Sequence, residues 1–62
     1  MKINEQANFT AYETNSGDIY IENQDGEQRL ILSPSGSDEH ERIALSIFKM
    51  DNDSLKTTFE NA

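Results

Sequence analysis

The sequence of 62 residues contains no cysteine and no tryptophan, and a single proline. Without cysteine there is no disulfide, no thiolate metal ligand and no cysteine nucleophile. No apolar run exceeds a few residues, which excludes a helical membrane span and the core of a signal peptide. Bases are scarce: five Lys and Arg stand against twelve Asp and Glu, a formal charge of −7 at neutral pH. That balance argues against direct binding to nucleic acid or anionic lipid, both of which need a basic face. Hydrophobic residues make up only 34%, and a chain this short buries only about 60% of the surface it exposes when unfolded. High charge with low hydropathy is also the composition of disordered chains.

The distribution of the apolar residues argues for folding. They fall into four groups, Phe9 to Tyr12, Ile19 to Ile21, Leu30 to Leu32 and Ile43 to Met50, separated by turn chemistry. One small domain over 1–62 is expected, with residues 1–6 and 60–62 flexible.

The first half reads as a three-stranded meander with strands over about 8–14, 18–24 and 27–33. Asp25-Gly26 between two alternating runs is a hairpin signal, because a type I′ turn needs positive φ at both central residues. A two-residue loop there pairs Glu22 with Arg29, Ile21 with Leu30, Tyr20 with Ile31 and Ile19 with Leu32. This register puts an opposite-charge pair across the strands and places Ile19, Ile21, Leu30 and Leu32 on one face. Upstream, Asn15-Ser16-Gly17-Asp18 supplies a turn. A three-residue loop with Gly17 left-handed places Phe9 and Ala11 beside Ile19 and Ile21, while a loop of two or four residues would turn Tyr12 inward. The former is preferred, because it buries Phe9 and leaves Tyr12 with Tyr20 outside.

The second half reads as helix over about 38–50. Ser33-Pro34-Ser35-Gly36 ends the third strand, since proline cannot donate in a ladder. Ser37 suits an N-cap, and Asp38 and Glu39 suit the positive end of the helix dipole. Ile43, Ala44, Ile47, Phe48 and Met50 form an apolar stripe at helical spacing. A fourth strand, with Ile43, Leu45 and Ile47 alternating, is the competing pattern. Asp51 to Ser54 breaks or caps this helix, and Leu55 to Glu60 suits a short second one with Leu55 and Phe59 four apart.

The expected architecture is therefore α+β, a three-stranded antiparallel sheet with one helix packed across its aliphatic face. The opposite face holds Tyr12, Tyr20 and Ile31 with nothing left in the chain to cover it. Such a converging patch predicts a partner, and a domain this small without disulfide or metal predicts a second copy of itself, a homodimer.

Candidate sites for chemistry are sparse. His40, the only histidine, is flanked by Glu39 and Glu41 and is the one candidate base of its type, but no hydroxyl or thiol partner is placed by spacing. Asp51-Asn52-Asp53-Ser54 opens like a calcium loop and then departs from it, with Lys56 where glycine belongs and Ala62 where a bidentate glutamate belongs. There is no glycine-rich phosphate loop, and a small sheet with one helix has no room for a carboxylate pair across a cleft. The expectation is a protein that is not an enzyme and uses no cofactor or metal.

The acidic residues carry the functional content. Asp18, Glu22, Asp25 and Glu27 lie around the hairpin ends, and Asp38, Glu39 and Glu41 crowd the helix start. A compact negative body suits a basic groove, enters it quickly and competes with the polynucleotide held there. In size and charge the chain resembles the small acidic accessory proteins of bacteriophages, and among these the anti-defence inhibitors, including anti-CRISPR proteins. The resemblance implies a viral protein acting in the host cytoplasm. It would inhibit a defence or nucleic-acid-processing protein by binding a basic surface, in some cases by mimicking nucleic acid. Two other expectations remain open: an adaptor docking through Tyr12, Tyr20 and Ile31, and an oligomer that sequesters a small molecule such as a nucleotide.

Overall fold

Two glycines with positive φ, Gly17 at 94° and Gly26 at 84°, fold the middle of the chain into consecutive hairpins. In the computed structural model, which describes residues 1–33 and 38–62, the strands are β1 (Lys2–Glu5), β2 (Phe9–Glu13), β3 (Ile19–Asn23) and β4 (Gln28–Leu32). They form one antiparallel sheet in chain order. Two helices follow, α1 (Asp38–Phe48) and α2 (Asn52–Glu60). The α+β class and the antiparallel sheet are as expected, but the sheet has a fourth strand and the second helix is a full element. The expected N-cap at Ser37 and the expected turn at Pro34 to Gly36 lie outside the described residues.

Both hairpin loops have three residues. In the first, Thr14 N–H donates to Asp18 O at 2.9 Å and Gly17 N–H returns to Thr14 O at 3.0 Å. Ala11 therefore faces Ile21 and Tyr12 faces Tyr20, the preferred register. The second loop repeats the design and overturns the expected two-residue turn. Asn23 N–H donates to Glu27 O at 3.0 Å, and the Asn23 Oδ1 accepts from the N–H groups of Asp25 and Glu27 at 3.0 and 2.9 Å. Asp25 keeps negative φ, so only Gly26 needs the left-handed region. Glu22 then faces Gln28, Ile21 faces Arg29 and Tyr20 faces Leu30. A bulge opposite Ile19 and Tyr20 absorbs the extra residue, and Ile19 still meets Leu32. As a consequence Leu30 points outward and is 55% exposed, while Ile31 packs against the core.

The core consists of Ala11, Ile19, Ile21, Ile47, Leu55 and Phe59. Fully burying an Ile or Leu side chain stabilises by about 1.5–3 kcal/mol, so Ile19, Ile21, Ile47 and Leu55, with the Phe59 ring, carry most of the fold. α2 lies across β2, β3 and β4, and α1 lies over β1. This corrects the expected coverage: of the α1 stripe only Ile47 is fully buried, Ile43 and Ala44 are half-buried, and Phe48 is 63% exposed. The Phe59 ring meets Phe9 at 5.5 Å between centroids and carries the Arg29 guanidinium 4.4 Å above it. α2 starts at Asp51, whose carboxylate accepts from Ser54 N–H at 2.8 Å. The backbone N–H and then the hydroxyl of Ser54 hold the Asp51 carboxyl below the usual aspartate value. The Asp51 to Ser54 segment is thus a helix cap.

β1 is held by one side chain. Its bulge between Lys2 and Asn4 turns Asn4 inward, opposite Ala11, where it is only 8% exposed. Asn4 Nδ2 donates to Ile47 O at 2.9 Å and Met50 O at 2.7 Å, closing the carbonyl end of α1. Gln6 Nε2 satisfies the remaining Asn4 oxygen at 2.8 Å. Helix ends leave carbonyls without intrahelical partners, and here a buried amide on the neighbouring strand supplies the donors. The residues expected to be loose therefore tie the sheet to α1.

Candidate interaction surfaces

Topology divides the acidic residues expected to act together into two groups. Asp18 precedes β3, while Asp25 and Glu27 lie beyond its other end and Glu22 sits near that end. Five residues of extended chain separate the groups by roughly 17 Å. The Asp18 end is joined to the start of α1, because His40 Nε2 lies 2.8 Å from Gly17 O. Asp18, Asp38, Glu39 and Glu41 thus share one end of the molecule, and Glu22, Asp25 and Glu27 the other.

The two ends differ in how far their charge is balanced. At the hairpin tip, Glu27 pairs with Arg29 at 3.2 Å and Glu22 accepts from Gln28 Nε2 at 2.9 Å. At the α1 end the first turn holds three carboxylates. Among the described residues the one ion pair that Asp18, Asp38, Glu39 and Glu41 make, Glu39 with Arg42, is long at 4.0 Å and exposed. Exposed pairs of that kind contribute little, so the α1 end keeps most of its negative field.

His40 is more than the solvated first-turn residue its neighbours suggest. Its Nε2 also lies 2.9 Å from Glu13 Oε2, with both side chains partly buried. Glu13 ends the inward-facing row of β2 after Phe9 and Ala11, and His40 precedes Ile43, Ala44 and Ile47 at helical spacing. Those two periodicities were the available signal for the pair. One imidazole N–H directed at both Glu13 and Gly17 clamps α1 to the first hairpin. Among the described residues no hydroxyl hydrogen-bonds this ring and no group of His, Asp and Glu is placed to hold a metal.

The outer face of the sheet holds the row Lys2, Tyr12, Tyr20 and Leu30. The tyrosine rings stack at 5.1 Å with an 18° tilt, and exposed Leu30 extends the patch. Leu30 here takes the place expected for Ile31, for the register reason given above. A separate open groove of about 620 Å³ runs between β1 and α1, lined chiefly by Met1, Ile3, Ala44, Leu45 and Phe48, with Glu13 and His40 at one end. Leu45 is 54% and Phe48 63% exposed there. Among the described residues no helix is long and apolar enough to cross a membrane. The chain matches no protein-family model, no curated protein and no solved structure.

Proposed function

We propose that this chain is a small acidic binding protein that inhibits a host defence or nucleic-acid-processing protein by occupying its basic surface. The observation that carries the reading is the end of the molecule built from Asp18, Asp38, Glu39 and Glu41, where four carboxylates have one weak ion pair among them. Fixed by the His40 clamp, this end presents negative charge on a rigid frame. Pre-organised charge of this kind raises association rates and suits a site that otherwise holds a polynucleotide. Phage origin and a cytoplasmic site of action belong to the same proposal.

The test is capture of a nucleic-acid-processing protein from host lysate on the immobilised chain, followed by salt titration and competition with a DNA duplex. Capture should weaken steeply between 50 and 500 mM NaCl, the duplex should displace the target, and D38K/E39K/E41K should abolish binding. The triple substitution E22K/D25K/E27K should cost far less. Capture indifferent to salt and to both charge reversals would overturn the reading. A second reading, an adaptor docking through Tyr12, Tyr20 and Leu30, is favoured by the stacked, half-buried tyrosine pair beside exposed Leu30. In that case Y20A would abolish capture while salt left it intact.

A further inference from the structure

The groove between β1 and α1 has the features of an interface that is complementary to itself. Among the described residues β1 is an edge strand, paired on one side only. Its four residues read Lys-Ile-Asn-Glu, and the bulge between Lys2 and Asn4 puts both Lys2 and Glu5 on the outer face, opposite Tyr12 and Thr10. If a second β1 pairs antiparallel about a two-fold axis between Ile3 and Asn4, Lys2 of each copy stands opposite Glu5 of the other. Two cross-strand ion pairs form on one face, and Ile3 meets Asn4 of the other copy on the inner face. A register shifted by one residue loses this match.

α1 specifies the same axis independently. It runs in the direction of β1: His40 in its first turn is bound to Glu13, whose N–H donates to Met1 O, and the carbonyl of Ile47 is bound by Asn4. The midpoint between Ile3 and Asn4 therefore lies level with the stretch from Leu45 to Phe48. A two-fold there sets two α1 helices antiparallel, with Leu45 of one copy against Phe48 of the other. Both side chains are more than half exposed in the single chain. Strand pairing at about 4.8 Å and helix pairing at 8–10 Å are compatible when each helix axis is set back from its edge strand by about 2 Å, away from the two-fold. The antiparallel arrangement also opposes the helix dipoles and sends the acidic first turns to opposite ends.

We propose that a second copy of this chain occupies the groove, joining two sheets through β1 and burying Leu45 and Phe48 between paired α1 helices. The expected homodimer thus forms at the sheet edge rather than on the tyrosine face, and the proposal stands whatever the target.

Sedimentation equilibrium from 5 to 500 μM tests it. The unmodified chain should dimerise, and L45E/F48E should be monomeric with an unchanged far-UV spectrum. K2E alone and E5K alone should each weaken self-association about tenfold, because each turns two attractive pairs into repulsive ones. An equimolar mixture of the K2E and E5K chains should recover a heterodimer. Mixing restores the pairs between copies and leaves the Lys2–Glu5 pair within each chain, 3.3 Å in the structure, broken. Monomer throughout the range, a dimer that survives L45E/F48E, a dimer lost on Y20A instead, or no recovery on mixing would each overturn the proposal.

Discussion

Replacing Asn4 tests the joint between sheet and helix most directly. Its amide donates a buried hydrogen bond to Ile47 O, which also accepts from Met50 N–H at 3.1 Å, and a part-buried one to Met50 O, beyond the end of the helix. Net hydrogen bonds contribute about 0.5–1.5 kcal/mol each, and an acceptor left buried and unpaired costs more. Asn4→Ala should therefore destabilise by about 2 kcal/mol. A domain of this length has roughly 3–9 kcal/mol in total, so the loss is large. With a urea slope of about 1 kcal/mol/M for so small a chain, the midpoint should fall by about 2 M in a circular-dichroism titration. Asn4→Asp is the sharper variant: it keeps the shape, removes both donors and directs a negative charge at the negative end of the α1 dipole. It should be less stable than Asn4→Ala at neutral pH and should recover ground in acid, where a protonated carboxyl regains one donor. Hydrogen exchange should show β1 and the end of α1 losing protection together. A midpoint shift under 0.5 M for Asn4→Ala, or an Asn4→Asp chain more stable than Asn4→Ala at neutral pH, would refute the assignment of Asn4 as the tie.

Leu55→Ala should cost about 3 kcal/mol by urea titration, because Leu55 is fully buried under α2 and its loss leaves a cavity. Gly26→Ala should cost about 1 kcal/mol, since a Cβ at that position meets nothing within 4 Å and only the left-handed backbone at φ 84° resists it; Gly26→Asn should cost less by the same measurement. For Asp51 the folded carboxyl is held below its ordinary value of 3.8 by the Ser54 N–H. Its contribution is therefore complete above that value and is lost as pH falls through the lower folded value. Thermal melts from pH 6 to pH 2 should show this decline, and Asp51→Asn, which keeps a capping oxygen without the titration, should flatten it.

The sequence signals that succeeded were local ones. Gly17 in a three-residue loop, the inward phase of Ala11, Ile19 and Ile21, and the helical spacing from Ile43 to Ile47 each depend on neighbours a few positions apart. The second hairpin misled because Asp25-Gly26 resembles a two-residue turn. The deciding residue is Asn23, whose side chain caps the longer loop. Thr14 stands three positions before Gly17 as Asn23 does before Gly26, so the repeat of that spacing was present to be read. A one-residue slip exchanged Leu30 and Ile31 between the faces, which altered the tyrosine patch. β1 was not legible from its own composition, because Lys-Ile-Asn-Glu has one apolar residue and its place depends on acceptors 43 and 46 positions away. Likewise α2 offers only Leu55 and Phe59 as apolar residues facing the sheet, and its central position follows from α1 being drawn to the edge by Asn4 and His40.

The acidic candidates were legible as residue types, but their grouping required the topology. That grouping separates the two proposed associations physically. Carboxylates gather at the two ends of β3, and Glu13 and Glu41 bring that charge to one end of the α1 groove, whereas the row of Lys2, Tyr12, Tyr20 and Leu30 holds no carboxylate. Copies meeting end to end would oppose carboxylates to carboxylates, and copies meeting along β1 would not. Salt acts on the two associations with different force. Added NaCl screens exposed charges over about 10 Å at 0.1 M and less at higher concentration. It should release a basic target held at the α1 end. The β1 pairing should lose little, because two screened ion pairs are offset by weaker repulsion between chains that each carry −7. One titration from 50 to 500 mM NaCl, followed by light scattering with and without target, should therefore dissociate the complex while the chain stays dimeric. Parallel loss of both would show that dimer and complex depend on the same carboxylates, and the division of labour between end and edge would be wrong.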